Sequence, residues 1–402
     1  MAVGFLRVVM ILSLSAVSSM ASQASAHQQP TSRAECGAWR LVTSPPHRGY
    51  LDELSSVAPV SATDVWAVGI TARKAGRGAV RPLIEHWNGV RWRIVEGARA
   101  AGLGYSLSSV SAVSANDVWA VGESPSYPYT LLEHWNGVRW STVAAPHIRE
   151  YHGNAVLEDV DTISTSDAWT VGFTGSQAVT EHWNGGMWTG VPSSNPVRWH
   201  AGPMEGHNFL YGVSGSSPSN AWAVGDFWFH FGRPKLLLEH WNGIRWTLTR
   251  LARGRADTQV LAGVSSLSNA DAWIVGGQTI GTGSLRRNEA LVERWNGARW
   301  VAMDPKAHGL ASVSGLGSVA ALGPNNVWAA GTAGYAGQPA SSGDLVFVHW
   351  DGHVWHISRP PSGIPSTAQY SGVEGIGNNL WTVGFSGVKG QQTALILQRT
   401  GC

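Results

Sequence analysis

The sequence predicts an all-β fold: a seven-bladed β-propeller, each blade a four-stranded antiparallel sheet, with the amino-terminal strand completing the last blade and closing the ring. Three observations carry this. A phrase of the Trp-Ala-Val-Gly type recurs at Trp66, Trp119, Trp169, Trp222, Trp273, Trp328 and Trp381, at intervals of 50 to 55 residues. That period suits a propeller blade. A second phrase, of which Leu131-Leu132-Glu133-His134-Trp135-Asn136-Gly137-Val138-Arg139-Trp140 is typical, follows each of the first six. The segments between show strand patterning and no helical period.

Each unit divides into four strands. The first is typified by residues 107–113. A tight Ser/Asn/Asp turn leads to the second, 117–121, which ends at Gly122. Both of its faces are apolar (Val118 and Ala120; Trp119 and Val121), as a strand stacked between two blades requires. The third strand is 131–135 and the fourth 138–143. Asn-Gly between alternating segments predicts a two-residue type I′ turn with positive φ at both residues. That register sets His134 opposite Arg139 and Glu133 opposite Trp140. The hairpin recurs at 83–92, 179–188, 237–246, 291–300 and 347–355, the last with Asp351-Gly352 at its turn.

The seventh unit stops early. Strands near 371–375, 380–384 and 395–399 are followed only by Thr400-Gly401-Cys402, where a turn and a fourth strand should stand. The missing strand has a match at the other end, because Cys36-Gly37-Ala38-Trp39-Arg40-Leu41-Val42 repeats the spacing of residues 137–143. Cys36 and Cys402 then meet where the other blades have a covalent turn, and a disulfide between them is expected. They are the only two cysteines.

Composition bounds the rest. Of 402 residues only 13% are charged, the net charge is +2, and 49 are glycine. Such a balance fits a turn-rich β protein and gives no reason to expect nucleic acid as a partner. Arg7, the apolar run from Val8 to Leu12 and the small residues through Ala24-Ser25-Ala26 have the layout of a secretory signal. The expected organisation is therefore a signal peptide at 1–26, a tail at 27–35 and the propeller at 36–402. The product is expected to be secreted and monomeric. No later stretch is apolar enough to span a membrane. Strands two, three and four place twenty of the 22 tryptophans in the repeat, and only Trp199 and Trp228 fall outside it.

The repeated Trp-Ala-Val-Gly and Glu-His-Trp-Asn-Gly phrases resemble the Trp-rich repeats of secreted bacterial proteins described as kelch-like or galactose-oxidase-like β-propellers. The resemblance covers residues 36–402. It implies the fold and no single activity.

Glu85, Glu133, Glu181, Glu239 and Glu293 stand beside His86, His134, His182, His240 and Arg294. An acid–base pair repeated in most blades points to as many places as there are blades, so these are expected to bond and fill the gaps between sheets. The Asp or Asn opening each second strand is expected to serve the turn. No cofactor or metal site is expected. Candidate ligand-binding residues come from the long loops, which share one face of the disc. They are His147, Arg149, Tyr151 and His152 before blade 3, Arg198, Trp199, His200 and His207 in the 192–209 connection, and Trp228 and His230 in the loop after it. Aromatic rings with nearby polar groups suit stacking on a sugar or another small polar ligand. A polysaccharide lyase or glycoside hydrolase, and a scaffold for a protein partner, are the alternatives.

Overall fold

A computed structural model describes residues 37–401 apart from 75–79, 99–103, 127–128, 147–154, 198–205, 230–231, 252–257, 282–286, 304–312, 334–343, 366 and 388–390. The described residues form seven four-stranded antiparallel sheets. Blades 1 to 6 span residues 50–94, 106–142, 155–191, 207–248, 258–302 and 313–358. Blade 7 takes three strands from 369–400 and its outer strand, Trp39–Val42, from the amino terminus. The first strands touch one another in ring order, and that of blade 7 touches that of blade 1. These strands line a central tunnel. Among the described residues no helix is long and apolar enough to cross a membrane.

The amino-terminal strand completes blade 7, as expected. Trp39 sits opposite Arg399 and Val42 opposite Ile396, and the Gly37 N–H donates to the Thr400 carbonyl at 3.0 Å. Cys36 and Cys402 lie just outside the described residues.

Each second strand runs past the glycine at which the sequence suggested it ends, and that glycine has a steric cause. Every first strand carries an irregularity at one register position, as between Leu54 and Ser56 or Leu107 and Ser109. The bulge pushes a first-strand carbonyl against the neighbouring second strand. A Cβ on Gly122 would lie 2.0 Å from the Ser106 oxygen, and one on Gly225 would lie 1.9 Å from the Phe209 oxygen. Gly69, Gly172, Gly276, Gly331 and Gly384 meet carbonyls in the same way.

The hairpin differs from expectation. Trp135 pairs with Trp140, His134 with Ser141 and Glu133 with Thr142. The turn is therefore a four-residue loop, Asn136 to Arg139, and strand four begins at Trp140. Only Gly137 takes positive φ, at 88°. Asn136 instead bends its side chain back, and its Oδ1 accepts the N–H groups of Val138 and Arg139 at 3.0 Å. That Asx geometry replaces the left-handed Asn of a type I′ turn.

Tryptophans wedge the seams. The strand-two indole of each blade is nearly fully buried, and in every blade but the sixth it packs on the strand-three and strand-four indoles of the next. Trp169 lies 4.7 Å from Trp241 and 5.0 Å from Trp246, the latter edge-on. Tilted and edge-to-face pairs of this kind add to the area they bury. Five of these indoles also carry a histidine, as Trp66 carries His86 at 4.2 Å. The histidine Nε2 in turn donates to the residue opening strand two: His86 to Asp64 at 2.7 Å, His134 to Asp117 at 2.8 Å and His240 to Asn220 at 2.8 Å. So the Asp/Asn position serves the Trp–His stack, beyond the turn role expected of it. Blade 5 uses Arg294 in the same place, bonded twice to Asp271.

The repeated glutamates point into the seams and hold the crossover leaving the preceding blade. Glu85 accepts from the Ser44 hydroxyl at 2.8 Å, Glu133 from the Ala98 N–H at 3.2 Å, and Glu239 from the Ser193 hydroxyl at 2.8 Å. Burial pushes the carboxyls of Glu85, Glu133, Glu239 and Glu293 up to about 7. The neutral acid is thus favoured by folding, so each group stabilises the fold fully below its unfolded value near 4.5. That contribution, up to about 3 kcal/mol per carboxyl, is lost as pH rises through about 7. Urea denaturation is expected to show higher stability at pH 5 than at pH 8, with a smaller difference in Glu133→Gln. A flat profile for the unmodified protein would contradict this burial.

Candidate functional site

The seam between blades 3 and 4 departs from the common pattern at its inner end. The first strands belong to a belt in which a side chain of one blade accepts an N–H from the next. Ser56 takes the N–H of Val110, Ser111 that of Thr162, Ser214 that of Ser266, Ser265 that of Ala321 and Ser318 that of Val373. Between blades 3 and 4 the acceptors are carboxylates: Asp159 takes the Val213 N–H at 2.9 Å and Asp161 the Gly215 N–H at 2.7 Å. Burial pushes both up to about 6. At the seam from blade 7 to blade 1, the corresponding pair is Glu374 and Pro59, and proline has no N–H to give. Glu374 keeps an exposed surface, yet burial by the enclosing walls, with Asp161 and Asp159 next in importance, holds its carboxyl well above the usual range.

Towards the long-loop end the same wall becomes aromatic. His207, Phe209 and Tyr211 alternate along the first strand of blade 4, His207–Ser217, so they share one face. Trp228 closes the second strand, Asn220–Trp228, directly opposite His207. The His207 and Trp228 rings are 4.9 Å apart. Phe209 stands edge-on to Trp228 at 5.2 Å and packs on Phe173 of blade 3 at 4.3 Å. Trp228, His207, Phe209 and Phe173 are all half-buried, so the cluster presents a partly open shelf. The Tyr211 hydroxyl donates to Asp226 Oδ1 at 3.1 Å. Burial, then the Asp226 charge, raises the Tyr211 pKa far beyond its ordinary value, and burial pushes Asp226 up to about 6. At neutral pH the phenol keeps its proton. Glu123 is also raised, by burial first and then by Glu158.

The shelf rests on a rigid base. Asn208, fully buried, donates from Nδ2 to the carbonyls of Val197 and Ser176 at 2.9 and 3.1 Å and accepts the Val197 N–H at 3.0 Å. It joins the blade 3 crossover to a blade 3 hairpin. Gly206, with φ of 107°, lets the chain pass the Trp228 carbonyl, which a Cβ would meet at 2.1 Å. Backbone that close to a carbonyl admits glycine alone.

Of the residues singled out from sequence, the structure brings His207 and Trp228 together. Both belong to strand ends, where the sequence suggested loops. His147, Arg149, Tyr151, His152, Arg198, Trp199, His200 and His230 lie outside the described residues. Sequence reasoning missed Phe173, Phe209, Tyr211, Glu158 and Asp226. A signal did exist: Glu158-Asp159-Val160-Asp161 puts three carboxylates where the aligned residues of blade 1 are Ser55, Ser56 and Ala58.

Comparison with known proteins settles the architecture. No protein-family model matches the chain, and no curated protein matches it. Solved structures do. "YCF48 bound to D1 peptide" aligns over 92% of this chain and 100% of its own, with a TM-score of 0.56 at 16% identity. The fold is a seven-bladed β-propeller. A second, "Structure of a new family of Polysaccharide lyase PL25-Ulvanlyase bound to -[GlcA(1-4)Rha3S]-", aligns over 90% of this chain and 94% of its own, with a TM-score of 0.50 at 10% identity. At such identities the similarity is one of fold.

Proposed function

We propose that this propeller is a binding module that takes a carbohydrate on the aromatic shelf of blades 3 and 4. The observation that carries this is the juxtaposition of half-open rings (Trp228, His207, Phe209) with the Tyr211–Asp226 pair and Glu123 and Glu158 on the adjoining wall. Rings stack on the apolar face of a sugar, and carboxyls and a phenol bond its hydroxyls. Because these polar groups are acids, the favoured ligand is uncharged and rich in hydroxyls, in place of a uronate. Propeller neighbours carry a peptide in one case and an acidic saccharide in the other, and both classes belong in the test.

A glycan array probed with the mature chain is expected to show neutral glycans binding at least tenfold better than uronates. Trp228→Ala, changing a half-buried ring at a strand end, is expected to cut that binding tenfold or more while the thermal midpoint moves little. Equal binding by Trp228→Ala, or binding only to peptides, would refute the proposal.

The reading extends to the chain ends. The resemblance to secreted Trp-rich propellers, including kelch-like ones, and the apolar segment before residue 27 support export. The pairing of Gly37 with Thr400 supports a Cys36–Cys402 disulfide.

A further inference from the structure

The seam between blades 6 and 7 departs from the other six. Elsewhere the strand-three indole of the next blade covers the strand-two indole, as Trp135 covers Trp66 at 4.9 Å. In blade 7 the corresponding residue is Arg399, which pairs with Leu380 as Trp135 pairs with Val118. Its guanidinium lies 4.5 Å from the centre of the Trp328 ring, a cation–π contact. A guanidinium is smaller than an indole, and a cavity of 380 Å³ lies at this seam, lined among others by Trp328, His349, Asp351, Asn326, Asn378 and Arg399. That volume falls in the range of small-molecule sites, about 300–1,000 Å³. The cavity sits among the short turns, on the face opposite the aromatic shelf, and is independent of the function proposed there.

A second departure meets the first. Asp351 stands where five other hairpins have Asn88, Asn136, Asn184, Asn242 and Asn296. Its Oδ1 accepts the N–H groups of His353 and Val354 at 2.8 and 2.9 Å, the role that asparagine fills elsewhere. The turn therefore does not require the charge. Those N–H groups and His356 keep the carboxyl ionised, well below the usual range. Between the two departures stands His349, whose pKa is lowered by burial first and then by Arg399. It is neutral at pH 7 and bonded to Asn326 Oδ1 at 2.9 Å. The repeat has thus been altered twice, and the alterations set a cation from blade 7 and an anion from blade 6 on the walls of one cavity.

We infer that this cavity binds a small zwitterion of the amino-acid type, its carboxylate on Arg399 and its ammonium on Asp351. Charge-assisted bonds at both ends favour such a ligand over a simple anion or cation, and the Asn326 and Asn378 amides supply further polar contacts. The test uses free alanine, glutamine and phenylalanine, their N-acetyl derivatives and their amides, by calorimetry on the full mature chain. Arg399→Trp and Asp351→Asn each restore the residue that other blades carry, so both variants are expected to fold. The unaltered chain is expected to bind at least one free amino acid. Asp351→Asn is expected to weaken that binding tenfold or more and to leave the N-acetyl form unchanged, and Arg399→Trp to abolish both. The inference is overturned if none of the three amino acids binds, if an N-acetyl form binds as tightly as its parent, or if Arg399→Trp binds like the unaltered chain.

Discussion

Replacing Gly225 by alanine is expected to destabilise the protein by about 3 kcal/mol or more and to remove the aromatic shelf with it. The added methyl would sit 1.9 Å from the Phe209 carbonyl oxygen and 2.9 Å from the Leu210 Cα. Neither is a flexible side-chain end. To admit it, the first strand of blade 4 must move away from the second, which breaks ladder bonds and shifts Phe209, on which Trp228 and Phe173 pack. Gly317→Ala is the matched control. It changes a first-strand glycine with nothing within 4 Å of the new methyl, and is expected to cost under about 1 kcal/mol. Urea titration of both variants decides the matter. A Gly225→Ala protein within 1 kcal/mol of the unaltered one would show that the bulge does not dictate the glycine.

The second large effect concerns the chain ends. Cys36→Ser with Cys402→Ser is expected to lower stability by about 3–5 kcal/mol under oxidising conditions, and to have no effect once both proteins are reduced. The outer strand of blade 7 is four residues long and paired on one side only. Apart from that pairing it is anchored through Trp39, stacked on Phe347 at 4.1 Å and edge-on to Trp328 at 6.0 Å. In the other blades a covalent hairpin also holds the fourth strand. A disulfide between Cys36 and Cys402 would supply the same constraint by denying the unfolded chain most of its end-to-end freedom. Equal stability of the two proteins under oxidising conditions would mean that strand pairing alone closes the ring.

Most of the fold could be read from the sequence because the repeat writes it seven times. Trp66 to Trp381 set the blade count, and Trp39 identified the strand that completes blade 7. The errors arose where a motif has two physical solutions. Asn136-Gly137 can form a type I′ turn, but an Asn side chain that accepts two N–H groups allows a wider loop, and pairing Trp135 with Trp140 puts both indoles on one seam. The site was far less legible. Trp228 and His207 stood out because they break the pattern, whereas Phe209, Tyr211 and Asp226 lie within strands and look like ordinary strand residues. Their shared face follows from the bulge register and from blade 3 packing against blade 4. Arg399 could have been found by aligning the incomplete unit strictly, since it replaces a tryptophan that six blades retain.

Hydrogen exchange on the oxidised and reduced protein tests ring closure most directly. In the oxidised chain the backbone amides of residues 39–42 that pair with the strand Thr393–Thr400 are expected to exchange only by global unfolding, as slowly as the inner strands of blade 3. Reduction is expected to speed them selectively. Rapid exchange of residues 39–42 in the oxidised protein, with the other six blades still protected, would show a free amino-terminal segment and an open seventh blade.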